Sequence, residues 1–352
     1  MYLKKIFSFI ITSIITLLCF EFYFQTSEIS LPSTVQDDST FGRSFKPHAR
    51  INLIKESFYM GEVNELGYLG PAYPVEKPSN TIRIALIGDS FVEGFQVADK
   101  YHFRNILENE LKRKIRNQNI EVLNFGRSGL DFRKMYIYYE LRAKEYKPDI
   151  VLIFLTESSF RTRDNNLGPD LIFDKNKKLE IDFRFANSQE FKTKINNTEV
   201  RNFSIFSLFQ AVYANLSAGK TPVILFDKLF TFYSTNTEEE TFTRADFESD
   251  EFAELNELVL KEYSIENSQK KIVIVPIEKI SKKYNELISK YKIDIYSLDS
   301  IYNELNNNGI NPFYWNATNK LGHWNQIAHN YIGNYLASSI SELIAKKSHS
   351  IK

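Results

Sequence analysis

Short runs of β-branched and aliphatic residues alternate with amphipathic segments along most of the chain beyond residue 80. The apolar runs predict buried strands at residues 82–87, 120–124, 150–155, 271–275 and 293–297. Between the runs, apolar residues recur at three- and four-residue spacing, as on one face of a helix. The helices predicted in this way lie near residues 103–115, 131–146, 251–263, 281–291, 302–305 and 325–346. Strands that alternate with helices are typical of βαβ units, so the pattern predicts an α/β fold built on a parallel sheet.

The first 27 residues carry a different pattern. Lys4 and Lys5 precede an apolar run from residue 6 to residue 20, which continues past Glu21 as far as residue 24. About 19 apolar-rich residues just span a bilayer, and lysines on the N-terminal side predict that this end stays in the cytoplasm. No small-residue cleavage site follows the run. Residues 1–27 are therefore predicted to be an uncleaved anchor in the inner membrane, with the rest of the chain on the periplasmic side.

Composition divides the remainder of the chain. Residues 28–80 are mixed polar, contain five prolines and show little periodicity, which predicts a linker and then a lead-in that packs on the domain. Residues 81–347 carry the strand–helix alternation and are predicted to form the domain itself. Within it, residues from about 160 to 250 are rich in Asn, Thr, Glu and Lys and lose the alternation. They are predicted to be an insertion over the edge of the sheet.

Charge and cysteine content narrow the classes of function. Lysine plus arginine and aspartate plus glutamate number 44 each, so no net field favours nucleic acid as a partner. The sole cysteine, Cys19, lies in the predicted anchor, which excludes a disulfide framework and a cysteine metal site. The five histidines are scattered along the chain rather than clustered. Neither a metal nor a cofactor is therefore predicted.

The turn that ends the first predicted strand carries a candidate nucleophile. Gly88-Asp89-Ser90 follows the run at 82–87, and Gly94 comes four residues after the serine. Such a turn presents the Ser90 hydroxyl at the carboxyl edge of a parallel sheet, where open α/β folds bind their ligands. A serine hydroxyl becomes a nucleophile only when an adjacent base takes its proton.

The predicted base is His323. It lies in the loop Leu321-Gly322-His323-Trp324-Asn325, which leads into the last predicted helix and is placed to reach the same sheet edge. Its Nε2 would accept the proton of Ser90 and return it to the leaving group. His329, on the helix itself, is predicted to be structural and serves as an internal comparison.

Three motifs, in this order and spacing, resemble those of the SGNH/GDSL hydrolase superfamily. They are IALIGDSFVEG at 84–94, NFGRSG at 124–129 and GHWN at 322–325. The lead-in NELGYLGPAYP at 64–74 also resembles one found in membrane-anchored bacterial members. The resemblance implies a three-layer α/β/α sandwich with a five-stranded parallel sheet. It assigns the nucleophile to Ser90, the proton shuttle to His323, and the oxyanion hole to the backbone N–H groups of Ser90 and Gly126 with an asparagine side chain.

Two positions depart from the family pattern. After the third strand, Glu157 stands where the family has its asparagine donor, and an ionised carboxylate accepts hydrogen bonds rather than donating them. Upstream of His323, Lys320 and Leu321 stand where relatives carry the aspartate that orients the imidazole. Asn319 and Glu157 are the candidate substitutes for the missing family residues, and a Ser–His dyad oriented by a backbone carbonyl is a further alternative.

The leading hypothesis is an extracytoplasmic serine esterase that acts on O-acyl groups, above all O-acetyl groups, of cell-surface carbohydrate, as membrane-anchored relatives often do. Its expected partners are a small-molecule or polysaccharide ester and the membrane. Because both departures fall on catalytic positions, two alternatives stay open: a catalytically degenerate SGNH domain that binds a glycan or a protein partner, and an O-acetyltransferase. Hydrogen-bond reach between Ser90 and His323 favours the enzyme, whereas a Glu157 carboxylate directed into the oxyanion position favours the binding domain.

Overall fold

The structure is a computed structural model that describes residues 2–27, 34–53, 56–57, 59–161, 168–189, 191–192, 204–205, 208 and 250–349. The chain divides into two units, residues 1–38 with 187–245 and residues 39–186 with 246–352. The first unit contains helix α1 (Tyr2–Ser27) and strand β1 (Val35–Asp38). Near the end of α1, the Glu21 carboxylate accepts hydrogen bonds from the backbone N–H groups of Ser204 and Ile205, at 2.7 and 3.0 Å.

Helix α1 coincides with the predicted anchor. Among the described residues it is the one helix that is long and apolar enough to cross a membrane, judged by length and composition. Its large side chains are mostly exposed.

The second unit contains the other strands and α-helices. Its strands are β2 (Gly42–Phe45), β3 (Arg50–Leu53), β4 (Tyr59–Glu62), β5 (Thr81–Gly88), β6 (Asn119–Gly126), β7 (Ile150–Leu155), β8 (Asp170–Phe173), β9 (Leu179–Asp182), β10 (Lys271–Pro276), β11 (Asp294–Ile295), β12 (Tyr314–Trp315) and β13 (Lys320–Leu321). Its helices are α2 (Ser90–Glu93), α3 (Phe103–Lys114), α4 (Phe132–Leu141), α5 (Asp250–Glu266), α6 (Lys282–Lys290), α7 (Asp299–Asn307) and α8 (Gln326–His349).

Five of these strands form a parallel sheet in the order β11-β10-β7-β5-β6. Every residue of β5 and β7 is buried, as expected for the inner strands of a parallel sheet that is covered on both faces. Each strand is followed by a helical connection, since parallel neighbours cannot be joined by a tight turn. The predicted α/β fold with a five-stranded parallel sheet is confirmed, and β11 is shorter than the predicted strand at 293–297.

Side chains alternate between two apolar layers, one on each face of the sheet. On one face, Ile87 of β5 and Ile153 of β7 pack with residues of α4, α5 and α6. On the other face, Leu86 and Leu152 pack with residues of α3, α7 and α8. Because successive strand residues point to opposite faces, one apolar run supplies both layers and produces the three-layer sandwich.

The predicted linker and lead-in contains short strands that its lack of periodicity did not indicate. Strands β3 and β4 form an antiparallel hairpin, and Ile51, Tyr59 and Phe95 belong to a small apolar cluster beside it. A turn follows residue 63, with Asn64 Oδ1 accepting from the backbone N–H groups of Leu66 and Tyr68.

Arg83 fastens the end of the lead-in to the sheet. This arginine of β5 is fully buried and donates to the carbonyls of Val75 and Pro74, at 2.8 and 2.6 Å. Its Nε pairs with Glu121 Oε2 of β6 at 2.5 Å. These hydrogen bonds tie the lead-in at residues 74 and 75 to the sheet. Of the predicted insertion at 160–250, the described part holds the antiparallel hairpin β8–β9, and most of the rest lies outside the described residues.

Candidate active site

Ser90 lies at the carboxyl edge of the sheet, two residues after the end of the inner strand β5. Asp89 caps the short helix α2, with its Oδ1 accepting from the Phe91 backbone N–H at 3.1 Å. Gly94 ends α2 in the left-handed region, at φ 69°, and a Cβ there would collide with the imidazole of His102. The glycine thus allows α2 to stop after one turn, which leaves Ser90 half-exposed at the strand end.

The structure brings Ser90 and His323 together. The distance between Ser90 Oγ and His323 Nε2 is 2.7 Å, although 233 residues separate them in the sequence. The ring of Phe91 lies against the imidazole, with 4.6 Å between the ring centroids. A hydroxyl and an imidazole nitrogen at this distance have the geometry that proton transfer between them needs.

Two tryptophans hold the His323 loop in place. Trp324 is fully buried, and its Nε1 donates to the hydroxyl of Tyr302 at 2.8 Å. Trp315, on β12, donates from its Nε1 to the backbone carbonyl of His323 at 3.0 Å. Burial of the first indole and the hydrogen bond from the second leave the loop little freedom, so the imidazole is presented in one position.

A carboxylate that sequence reasoning missed lies at the other nitrogen of the His323 ring. Glu56, between β3 and β4, places Oε1 at 3.0 Å and Oε2 at 2.9 Å from His323 Nδ1. Its Oε2 also accepts from the backbone N–H of His323, at 2.9 Å. The Glu56 side chain is 12% exposed, so the contact is largely shielded from water.

Neither candidate substitute occupies this position. Glu157 Oε2 accepts from the backbone N–H of Ser281, at 2.7 Å, just before helix α6. The Glu157 carboxylate thus contacts the start of helix α6, and the carboxylate beside His323 Nδ1 is that of Glu56. Asn319 is exposed, and its Oδ1 accepts from the Tyr314 hydroxyl at 3.2 Å across the β12–β13 turn.

The Gly126 amide is already engaged. Its N–H donates to Asn124 Oδ1 at 2.8 Å, and Gly126 is buried against the backbone of α2, where a Cβ would collide with Val92. As an oxyanion donor, Gly126 would first have to release Asn124. Gly129, three residues later, is half-exposed in the left-handed region at φ 85°, and its N–H has no acceptor in the part of the chain that the structure describes.

Several titratable groups lie behind the site in the interior. Burial lowers the pKa of His329 to about 3 and lowers that of His102 well below its ordinary value. Burial also raises the pKa of Glu93, whose carboxylate accepts from the hydroxyl of Ser128 and so ties the loop after β6 to α2. The two histidines are therefore neutral at ordinary pH, and Glu93 is hydrogen-bonded to Ser128.

The described residues contain no group of three or more His, Cys, Asp or Glu side chains placed to hold a metal ion. What the edge of the sheet does bring together is a hydroxyl, an imidazole and a carboxylate in series. Sequence reasoning found the first two from motif spacing. It missed Glu56 because the carboxylate comes from a short hairpin without a recognisable motif. The one sequence feature related to the contact is the glycine before His323, since a side chain at Gly322 would meet Glu56.

Comparison with models of protein families gives no match, and neither does a search of curated proteins. Among solved structures, the chain is similar to a protein assigned to the G-D-S-L family of lipolytic proteins from Desulfitobacterium hafniense DCB-2, at 11% identity and a TM-score of 0.37, covering 73% of this chain and 98% of that one. It is similar to an acetyl xylan esterase at 15% identity and a TM-score of 0.38, covering 74% and 100%.

A third solved structure is a catalytic mutant of an acetylxylan esterase from Geobacillus stearothermophilus. The identity is 13% and the TM-score 0.39, with 74% of this chain and 94% of that one covered. By their descriptions, the solved structures to which this chain is similar thus include a protein of the G-D-S-L family, whose motifs the chain resembles, and two acetylxylan esterases.

Proposed function

We propose that this protein is a serine ester hydrolase in which Ser90 is the nucleophile and His323 is the general base and acid. The observation that supports the proposal most directly is the 2.7 Å separation of Ser90 Oγ and His323 Nε2 at the carboxyl edge of the sheet. A serine whose hydroxyl contacts an imidazole is activated for attack on an ester carbonyl, whereas an isolated serine is not.

The reaction proceeds in two halves. Ser90 Oγ bonds to the carbonyl carbon while its proton passes to His323 Nε2, and a tetrahedral intermediate forms. The imidazolium then donates that proton to the alkoxide oxygen, the ester carbon–oxygen bond breaks, and the alcohol leaves an acyl group on Ser90. In the second half, His323 takes a proton from water while the water oxygen bonds to the acyl carbon. The imidazolium then returns the proton to Ser90 Oγ as the bond between Oγ and the acyl carbon breaks, and the carboxylic acid leaves.

The negative oxygen of the intermediate needs donors that are in place before the reaction. Backbone N–H groups of Ser90 and of the loop after β6 are the proposed donors, and each is worth about 3 kcal/mol of transition-state stabilisation. Within that loop we prefer the Gly129 N–H to that of Gly126 as the donor, because the Gly126 N–H is held by Asn124. The proposed oxyanion hole is thus Ser90 with Gly129, or with Gly126 once its amide is released.

The proposed substrates are O-acetyl groups of cell-surface carbohydrate, with α1 anchoring the protein in the inner membrane and the second unit on the periplasmic side. The resemblance of residues 64–74 to the lead-in of membrane-anchored members supports this, as do the lysines that precede the apolar run. Acetate release from an O-acetylated polysaccharide tests the substrate, with the alkali-deacetylated polymer as control. Protease digestion of spheroplasts tests the location, since a periplasmic second unit is degraded and a cytoplasmic one is protected.

The proposed activity is tested with p-nitrophenyl acetate and full-length protein in detergent. The wild-type protein is expected to turn over the ester and to react covalently with a fluorophosphonate, with the adduct on Ser90 by mass spectrometry. Ser90→Ala is expected to lose both reactions, whereas Ser338→Ala, on the far part of α8, keeps them. Equal background hydrolysis in all three proteins, with no adduct, would overturn the hydrolase and leave the glycan-binding alternative. Acetyl transfer to a sugar acceptor without net acetate release would indicate the transferase instead.

A further inference from the structure

The segment between the predicted anchor and the domain contributes a side chain to the site. Glu56 reaches His323 from the hairpin β3–β4, which precedes the nucleophile in the chain. Its carboxylate contacts both Nδ1 and the backbone N–H of His323. A carboxylate can only accept in these contacts, so Nδ1 carries the hydrogen and Nε2 is left with a free lone pair toward Ser90.

The surroundings of Glu56 fit this contact closely. The Thr318 hydroxyl donates to the backbone carbonyl of Glu56 at 2.6 Å. The segment that leads to His323 therefore contacts both the backbone and the carboxylate of Glu56. A Cβ at Gly322 would lie 2.5 Å from Glu56 Oε2, so a side chain at that position would collide with the carboxylate. The absence of a side chain at residue 322 is what allows Glu56 to approach the neighbouring histidine.

The hairpin that carries Glu56 is fixed to the nucleophile side of the site. Ser57, the next residue, is buried and its hydroxyl donates to the carbonyl of Gln96, just beyond α2. Tyr59 and Ile51 belong to the same apolar cluster as Phe95. Buried contacts of the neighbouring residues therefore fix the position of Glu56 relative to Ser90 and His323.

We infer that Glu56 is the positioning residue that orients His323 and stabilises its protonated form, which completes a triad in the chain order acid, serine, histidine. The inference rests on the proposed hydrolase. It assigns to the lead-in the task that relatives give to an aspartate just before the histidine, at positions where this chain has Lys320 and Leu321. The acid of a triad fixes the tautomer of the imidazole and offsets the charge that forms on it, without itself becoming protonated.

The test compares Glu56→Gln, Glu56→Ala and Glu56→Asp in the full chain, with Glu62→Gln as the matched control. Glu62 lies on β4 of the same hairpin, but its carboxylate pairs with the exposed His48. Glu56→Gln is expected to lower kcat by about 10³- to 10⁴-fold with little change in KM, because the lost group acts on the imidazole and not on the bound ester. Glu56→Asp recovers part of the loss, and Glu62→Gln behaves as wild type.

Two further readouts separate orientation from a structural role. Added formate is expected to raise kcat of Glu56→Ala in a saturable manner and to leave that of Glu56→Gln unchanged, because only the alanine variant has room for the carboxylate. In spectra of ¹⁵N-histidine-labelled protein, His323 is expected to show the Nδ1–H tautomer in the wild type and a mixture of tautomers in Glu56→Gln. The second readout does not depend on turnover.

The outcomes distinguish the two proposals. If Ser90→Ala abolishes activity while Glu56→Gln and Glu56→Ala stay within a few-fold of wild type, Glu56 is not the positioning residue and the hydrolase stands. If the Nδ1–H signal of His323 is the same in wild type and Glu56→Gln, the inference is overturned whether or not activity is found. If Ser90→Ala matches the wild type, the hydrolase fails, and the tautomer measurement alone decides the role of Glu56.

Discussion

Two histidines six residues apart, His323 and His329, occupy opposite environments. The His323 side chain is 24% exposed and lies between the Ser90 hydroxyl and the Glu56 carboxylate. His329 is 1% exposed, its Nδ1 accepts from the Phe103 backbone N–H at 3.2 Å, and burial lowers its pKa to about 3. The same type of side chain is thus the proposed proton carrier at one position and a neutral core residue at the other.

The difference follows from where helix α8 begins. His323 precedes the helix, in a loop at the polar edge of the sheet, whereas His329 lies within it. Ile332 and Leu336 share a helix face with His329 at three- and seven-residue spacing, and both are fully buried. A histidine on that face must enter the core, and there it stays neutral because a charge would lose its hydration.

The largest expected effect separates the two histidines by activity. His323→Gln is expected to lower kcat/KM for p-nitrophenyl acetate by about 10⁴-fold or more, because the base and acid of both half-reactions is removed. His329→Gln is expected to keep kcat/KM close to wild type at neutral pH, at the cost of some stability. Stopped assays with thermal unfolding of each variant measure both quantities. Loss of activity in a well-folded His329→Gln protein would contradict the assignment.

The next effect separates them by stability against pH. A histidine whose pKa falls from 6.5 in the unfolded chain to about 3 in the folded protein resists protonation only when folded. The unfolded state therefore binds more protons below pH 6.5, and stability is lost as the pH falls from about 6.5 toward 3. The slope from one such group is at most about 1.4 kcal/mol per pH unit.

His329→Gln removes this contribution, so its free energy of unfolding is expected to fall less steeply with acid than that of the wild type. Urea titrations between pH 7 and pH 4 measure the two slopes. The acidic groups titrate in both proteins and cancel in the difference. Parallel curves for the two proteins would show that the buried imidazole is not the group that resists protonation.

A smaller loss is expected from a change beside His323 that leaves every charged group in place. Gly322→Ala would push a methyl group to 2.5 Å from Glu56 Oε2 and displace the carboxylate. A misplacement of about 1 Å in a catalytic constellation costs about 100-fold in rate. The control is Gly309→Ala, where φ is 71° and no atom lies within 4 Å of the added methyl.

The control is expected to lose about 1 kcal/mol of stability through backbone strain and to keep its activity. Gly322→Ala is expected to show the reverse, because its backbone φ is not in the left-handed region and only the contact with Glu56 is disturbed. Steady-state kinetics measure the activity of the two variants, and thermal unfolding measures their stability. An active Gly322→Ala enzyme would show that the Glu56 contact is dispensable.

The parts of the molecule that could be predicted from the sequence are those governed by local rules. Apolar periodicity gave the five strands and the covering helices, since a strand buried on both faces has few alternatives. Motif order placed Ser90 and His323 at one edge, and the structure has them in contact. The lead-in was harder, because the four-residue strands β3 and β4 carry too few residues to establish a period.

The orienting carboxylate could not be found by those rules. Glu56 and His323 are 267 residues apart, and their contact depends on how an irregular hairpin packs beside α2. Sequence reasoning looked for the acid near the histidine, as in the superfamily that the motifs resemble, and then at Glu157. The position of Glu157 at the end of β7 does not bring its carboxylate to His323, because that carboxylate accepts from the backbone N–H of Ser281, just before α6.

The smallest expected effect on activity is that of removing the charge of Glu157. Glu157→Gln keeps an oxygen for the Ser281 N–H and removes only the charge, so it is expected to leave kcat and KM unchanged. Its cost in stability is expected to be below about 1 kcal/mol, because the side chain is 29% exposed and lies near the N-terminus of a nine-residue helix. Glu286→Gln, exposed on α6, is the control for loss of a surface charge. A fall in kcat with Glu157→Gln but not with Glu286→Gln would return Glu157 to the catalytic site and weaken the assignment of Glu56.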